Sequence, residues 1–124
     1  MSFNEYAQEL TASGDIGVGY LLDGQGNIYW EHGKENWAAL DPNYVLQEWQ
    51  KSAMSPIIVD NLKFTVIGKT SNRLVSTNVG GQGHLIGAAC SNWEGGFLVA
   101  WCPATIAPDV AYTVCQKLAD TVTS

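Results

Sequence analysis

The chain has 124 residues, of which 46% are hydrophobic and only 15% charged, with a formal net charge of −6. That balance describes a single folded domain over residues 1–124 with a lightly charged surface, and the negative charge argues against nucleic acid and anionic membranes as partners. No stretch approaches the roughly 18 uninterrupted apolar residues of a membrane span, and the opening Met1-Ser2-Phe3-Asn4-Glu5 carries neither a basic nor an apolar leader, so a cytoplasmic protein is expected.

Phe3, Tyr6, Ala7 and Leu10 recur at helical spacing behind Ser2, with Glu5 three residues on. This capping-box pattern predicts a short helix ending near Ser13-Gly14. Ile16 to Leu22 and Asn27 to Glu31 flank the turn residues Asp23-Gly24-Gln25-Gly26 and read as a hairpin. Gly17 and Gly19 mark a place where a helix or another backbone packs closely on the first strand. Asp41 caps and Pro42 opens a second helix carrying Tyr44, Val45, Trp49 and Ala53, with Pro56 beyond its end. Four strands follow, Leu62 to Ile67, Arg73 to Val79, Gly83 to Cys90 and Gly96 to Cys102. The segments between them, including Gly68-Lys69-Thr70-Ser71, have loop composition, which gives an antiparallel meander. Pro108 then starts a last helix, with Val110, Ala111, Val114, Cys115, Leu118 and Val122 on its apolar stripe.

The order helix, two strands, helix, four strands, helix defines an α+β fold. Its expected form is a six-stranded antiparallel sheet with both terminal helices on one face and the Pro42 helix on the other, because the apolar run Phe97 to Trp101 needs cover on both sides.

Chemistry-bearing patterns are sparse. Gly68-Lys69-Thr70 ends like a phosphate-binding loop, but that pattern needs a glycine where Lys63 stands. Gly80-Gly81-Gln82-Gly83 is read as a hairpin turn. Cys90, Cys102 and Cys115 form no CxxC pair and lie in apolar runs, as buried thiols in a reducing compartment do; His32 and His84 sit apart from one another. No metal or cofactor site and no catalytic residue is expected. Five tryptophans are many for a domain of this size, and they leave two readings open: exposed recognition surface, or packing between helices and sheet.

Several segments carry a likeness to a known family. Met1 to Tyr6 is similar to an opening Ser-Trp-x-x-Tyr with Phe3 in place of Trp. Asp23 through Trp30 is similar to an Asp-Gly-Ser-Val-Trp turn and strand. Lys63-Phe64-Thr65-Val66-Ile67 is similar to Lys-Tyr-Met-Val-Ile, and Ile106-Ala107-Pro108 through Lys117-Leu118-Ala119-Asp120 is similar to a Pro-led final helix ending in Lys-Leu-Ala-Asp. In this order and spacing, over nearly the full length, the chain resembles the profilins, small proteins that bind monomeric actin. It departs from them at Thr77-Asn78-Val79-Gly80-Gly81, which lacks the family's basic pair, and at Thr121, where a ring is common. The likeness is to a divergent profilin, of the Asgard-archaeal kind.

The resemblance implies a monomeric, non-enzymatic regulator of actin polymerisation. Its actin-binding residues would be Lys63, Lys69 and Arg73 on the strands, with Asp109, Tyr112, Thr113, Gln116 and Lys117 on the outer side of the last helix. Phe3, Tyr6, Tyr29 and Trp30 correspond to the family's polyproline groove, weakened here by Phe3 and Thr121, and the thin basic character argues against phosphoinositides. The rival reading is a roadblock or longin type scaffold, a dimerising platform for small GTPases, which normally has a five-stranded sheet.

Overall fold

The computed structural model describes residues 2–123. Helix α1 spans Phe3–Ser13, strand β1 Val18–Asp23 and strand β2 Ile28–His32; a single 3-10 turn at Lys34–Asn36 leads to helix α2, Pro42–Gln50. Strands β3 (Ile57–Val59), β4 (Leu62–Thr70), β5 (Arg73–Thr77), β6 (His84–Ala89) and β7 (Gly96–Cys102) precede helix α3, Pro108–Asp120. The strands form one antiparallel sheet in the order β2-β1-β7-β6-β5-β4-β3.

The helix boundaries follow from local chemistry. Ser2 Oγ accepts from the Glu5 amide at 3.3 Å, and Gly14 ends α1 in the left-handed conformation at φ 85°. Asp41 Oδ1 accepts from the Asn43 amide at 3.0 Å to start α2, which stops at Gln50, short of Ala53. The sheet has seven strands where six were expected. The extra one is β3, a run of three apolar residues too short for its alternation to be legible in sequence. It pairs with β4 through a two-residue turn, Asp60-Asn61, with φ 52° and 64° at the two residues. Asp and Asn tolerate that left-handed geometry, which matches the twist of a tight hairpin. β4 also runs on through Gly68-Lys69-Thr70, expected as loop, and turns only at Ser71-Asn72.

The sheet separates two cores. On one face Ala7 and Leu10 of α1 and Ala111, Cys115 and Leu118 of α3 pack on Ile86, Ala88, Leu98 and Ala100. On the other, Val45, Leu46 and Trp49 of α2 pack on Tyr20, Phe64, Leu74, Leu85 and Val99. Both terminal helices therefore lie on one face and α2 on the other, as the double-sided apolar run of β7 requires. The buried line of α3 runs through Ala111, Cys115, Leu118 and Ala119, which leaves Val110, expected on the buried stripe, 47% exposed. All three cysteines are buried and free.

Gly17, just before β1, and Gly19, within it, make room for indoles rather than for a helix or another backbone. A Cβ on Gly17 would lie 2.5 Å from the Trp101 ring, and one on Gly19 would lie 2.8 Å from the Trp30 ring. Trp49 is buried in the α2 core, whereas Trp30, Trp37, Trp93 and Trp101 are half-buried, packed on one side and open on the other. Among the described residues no helix is long and apolar enough to cross a membrane.

Candidate functional site

Helix α3 covers β5, β6 and β7 but leaves the sheet bare beyond β5, toward the β3 edge. Alternation along β4 sends Leu62, Phe64 and Val66 into the α2 core and Lys63, Thr65 and Ile67 to the α3 side. The result is a shelf on which Ile58 and Ile67 are 55% and 56% exposed, with Lys63 beside Ile58 in register. Exposed branched side chains on an otherwise polar sheet face suit partner binding rather than folding.

The shelf meets α3 in a groove of about 330 Å³ lined by Ile67, Arg73, Val75, Pro108, Asp109 and Tyr112, among others. The Arg73 guanidinium lies over the Tyr112 ring, 5.2 Å from its centroid, a cation–π contact that holds a flexible cation in place. Tyr112 donates to Gln116 Oε1 at 2.8 Å, and Gln116 Nε2 donates to the Ala89 carbonyl at 3.0 Å and to Asp120 Oδ1 at 2.8 Å. Burial raises the Tyr112 phenol above its usual range, opposed by Arg73, so it remains a donor at neutral pH. This network gives the rim of the groove a fixed shape.

Of the residues expected at this surface, Lys63, Arg73, Asp109 and Tyr112 come together around the shelf and groove. Gln116 is half-buried beneath them as a brace, while Thr113 and Lys117 lie exposed on the outer side of α3. Lys69 does not join them. A bulge in β4, where Val66 faces Ser76 but Gly68 faces Val75, shifts the alternation by one residue and sends Lys69 to the α2 side. There its Nζ donates to the carbonyls of Glu48 and Ala53 at the end of α2. Ile58 and Ile67 were missed in sequence. The signal for Ile67 was the doublet Val66-Ile67, two apolar residues in a row that break the polar-apolar alternation where the bulge occurs.

Of the four residues expected to form a polyproline groove, Phe3 and Trp30 are in ring contact with one another, while Tyr6 and Tyr29 are engaged elsewhere. Phe3 meets Trp30 edge to face at 5.2 Å between ring centroids, whereas Tyr29, bulged out of register with β1, meets Trp93 at 5.0 Å. The Tyr29 hydroxyl donates to Asp23 Oδ2 at 3.0 Å, and Tyr6 packs half-buried against the core under the terminal helices. Thr121 bonds its own helix, donating to the Leu118 carbonyl at 2.6 Å, and adds no ring.

The buried thiols are not arranged for chemistry. Burial pushes the Cys90 thiol up to about 11, and the Cys102 contact together with burial pushes Cys115 well above its usual value. A nucleophilic cysteine needs the opposite shift. His84 stands opposite Cys102 in the β6–β7 ladder, but both its ring nitrogens are engaged, by Thr77 Oγ1 at 2.8 Å and the Ile106 carbonyl at 2.7 Å.

No protein-family model matches the chain. Heimdall profilin, from Heimdallarchaeota archaeon (strain LC_2), is 58% identical to it over 122 residues, 98% of each chain. The chain belongs to the profilin family. Its fold is that of the crystal structure of LokiProfilin1, with a TM-score of 0.76 at 19% identity over 99% of this chain and 98% of that one. A second structure, the complex of LokiProfilin2 with rabbit actin, matches with a TM-score of 0.73 at 18% identity over 96% and 95% of the two chains. Sequence and fold together place this protein among the divergent profilins of Asgard archaea. The scaffold reading, with its five-stranded sheet, falls away against a seven-stranded one.

Proposed function

We propose that this profilin binds monomeric actin through the shelf of β3 and β4, the groove beside Arg73 and the outer side of α3, and thereby regulates polymerisation. The observation that carries this reading is the uncovered sheet face, where Ile58 and Ile67 stand exposed beside the Arg73–Tyr112 rim. A related fold in complex with rabbit actin supports it. Mechanism is occupancy. A monomer with one end covered neither nucleates with its fellows nor adds to a filament in that direction, so no chemistry is needed and the protein acts as a non-enzymatic, monomeric, cytoplasmic binder.

The test is assembly of pyrene-labelled actin with the purified protein. The parent chain lengthens the lag. Ile67→Asp keeps its melting temperature, because the side chain is exposed, yet places a charge in the interface and weakens actin binding about 10- to 100-fold. If that variant delays assembly as well as the parent, the shelf is not the interface.

Proline-rich peptides bind this profilin weakly. Phe3 offers no indole N–H, Tyr29 has spent its hydroxyl on Asp23, and Thr121 supplies no stacking face. A tryptophan-fluorescence titration with a polyproline peptide saturates only at roughly 100 µM or above; saturation in the low micromolar range would show that Trp93 completes the groove. Phosphoinositides are not ligands in this reading. Lys51 pairs with Glu48, Lys69 holds the end of α2 and Arg73 lies on Tyr112, so half of the six Lys and Arg residues are engaged within the chain, which leaves a thin basic surface.

A further inference from the structure

On the α2 face, opposite the shelf, lies a cleft of about 220 Å³ lined by Asn36, Trp37, Leu62, Gln82 and Trp101. It is below the usual size of a small-molecule pocket and has room for one long side chain. Its two walls are indoles, with Trp37 and Trp101 at 69° to one another and 6.3 Å between ring centroids. Both are fixed. Trp101 lies across the backbone at Gly17 and Gly83, where an added Cβ would fall 2.5 Å and 2.6 Å from the ring, and its Nε1 donates to the Gln82 carbonyl at 2.9 Å. Trp37 Nε1 donates to Asp60 Oδ2 at 3.4 Å, and Asp60 is itself held in the β3–β4 turn.

That arrangement narrows the occupant. Both indole N–H donors are already spent, so a proline-rich peptide, whose carbonyls are met by such donors, finds no indole donor here. What remains open is π surface, made more electron-rich by donation of the Trp37 N–H to a carboxylate, with that carboxylate at the edge of the ring. The chain's net charge of −6 adds to the preference for a cation. We propose that the Trp37–Trp101 cleft is a docking site for a lysine side chain of a partner protein, its stem against Leu62 and its ammonium between the indole faces and the Asp60 carboxylate.

The probe is Nα-acetyl-lysine methylamide, with the norleucine analogue as its uncharged isostere, titrated into ¹⁵N-labelled full chain while the indole N–H signals are followed. The lysine derivative should shift the Trp37 and Trp101 signals saturably, with a dissociation constant in the millimolar range. Asp60→Asn keeps an acceptor for Trp37 and a residue that tolerates the left-handed turn, and so removes only the charge; it should weaken binding about three- to tenfold with an unchanged amide spectrum. Equal binding of the norleucine analogue, an unchanged affinity in Asp60→Asn, or shifts that bypass both indoles would each overturn the assignment.

Discussion

The two faces of the sheet are built from different materials. On the α2 face a nine-residue helix covers large side chains, Trp49, Tyr20 and Phe64, and is tied down by polar bonds: Trp49 Nε1 to the Thr70 carbonyl at 2.7 Å, Gln50 Nε2 to the Ser71 carbonyl at 3.1 Å, and Lys69 to the helix end. On the terminal-helix face small residues, Ala7, Ala88, Ala111, Cys115 and Ala119, alternate with branched ones such as Leu10, Ile86, Leu98 and Leu118, and no side chain of indole size is buried. Helix α3 lies over the middle strands and leaves the outer ones open. Strand β4 shows the difference within one element, since Phe64 is buried on one side while Ile67 projects from the other. The α2 face thus concentrates stability around one large anchor, and the α3 face spreads it over small contacts and keeps part of the sheet free for a partner.

The largest expected effect tests that concentration. Trp49→Ala removes a side chain that is 1% exposed, its contact with Phe97 at 5.3 Å and its bond to Thr70, and should cost about 3 to 5 kcal/mol in urea unfolding. A loss under 1 kcal/mol would mean that α2 is not the anchor.

A pH titration addresses the other face, where the buried thiols are. The folded Cys90 thiol is raised to about 11 from an ordinary 9.0, so its contribution is complete below pH 9 and is lost as pH climbs toward 11, where the unfolded chain ionises and the folded one does not. The loss at pH 11 is roughly 2 to 3 kcal/mol from this group. Melting curves of the parent should fall across that window, and those of Cys90→Ala should fall less; parallel curves would show that the thiol is not responsible.

Lys69→Glu gives the smallest effect and sharpens the comparison most. It removes a cation from the carbonyl end of α2 and should cost about 1 kcal/mol. Because the bulge points this residue away from the shelf, pyrene-actin assembly with the variant should match the parent. A weakened interaction with actin would put Lys69 at the interface and contradict the assigned face.

Much of this molecule was legible before any coordinates. The caps at Ser2 and Asp41, Pro42 and Pro108 as helix starts, the hairpin glycines and the run Phe97 to Trp101 act within a few residues, so their spacing in sequence is already their spacing in space. The same locality made the pairing of the meander legible, and the two-sided apolar run of β7 called for helices on both faces of the sheet. What the tertiary structure decided depends on offsets and depth. A single extra residue in β4 turned Lys69 from one face to the other, a three-residue strand hid below the length of a readable pattern, and Val110 fell outside the buried line of α3. The Trp37–Trp101 cleft joins residues 64 positions apart whose indoles converge only because Gly17 and Gly83 lack side chains. Sequence carries local geometry directly, whereas register shifts and convergence of distant rings arise when the sheet closes and steric room at particular backbone atoms selects one arrangement.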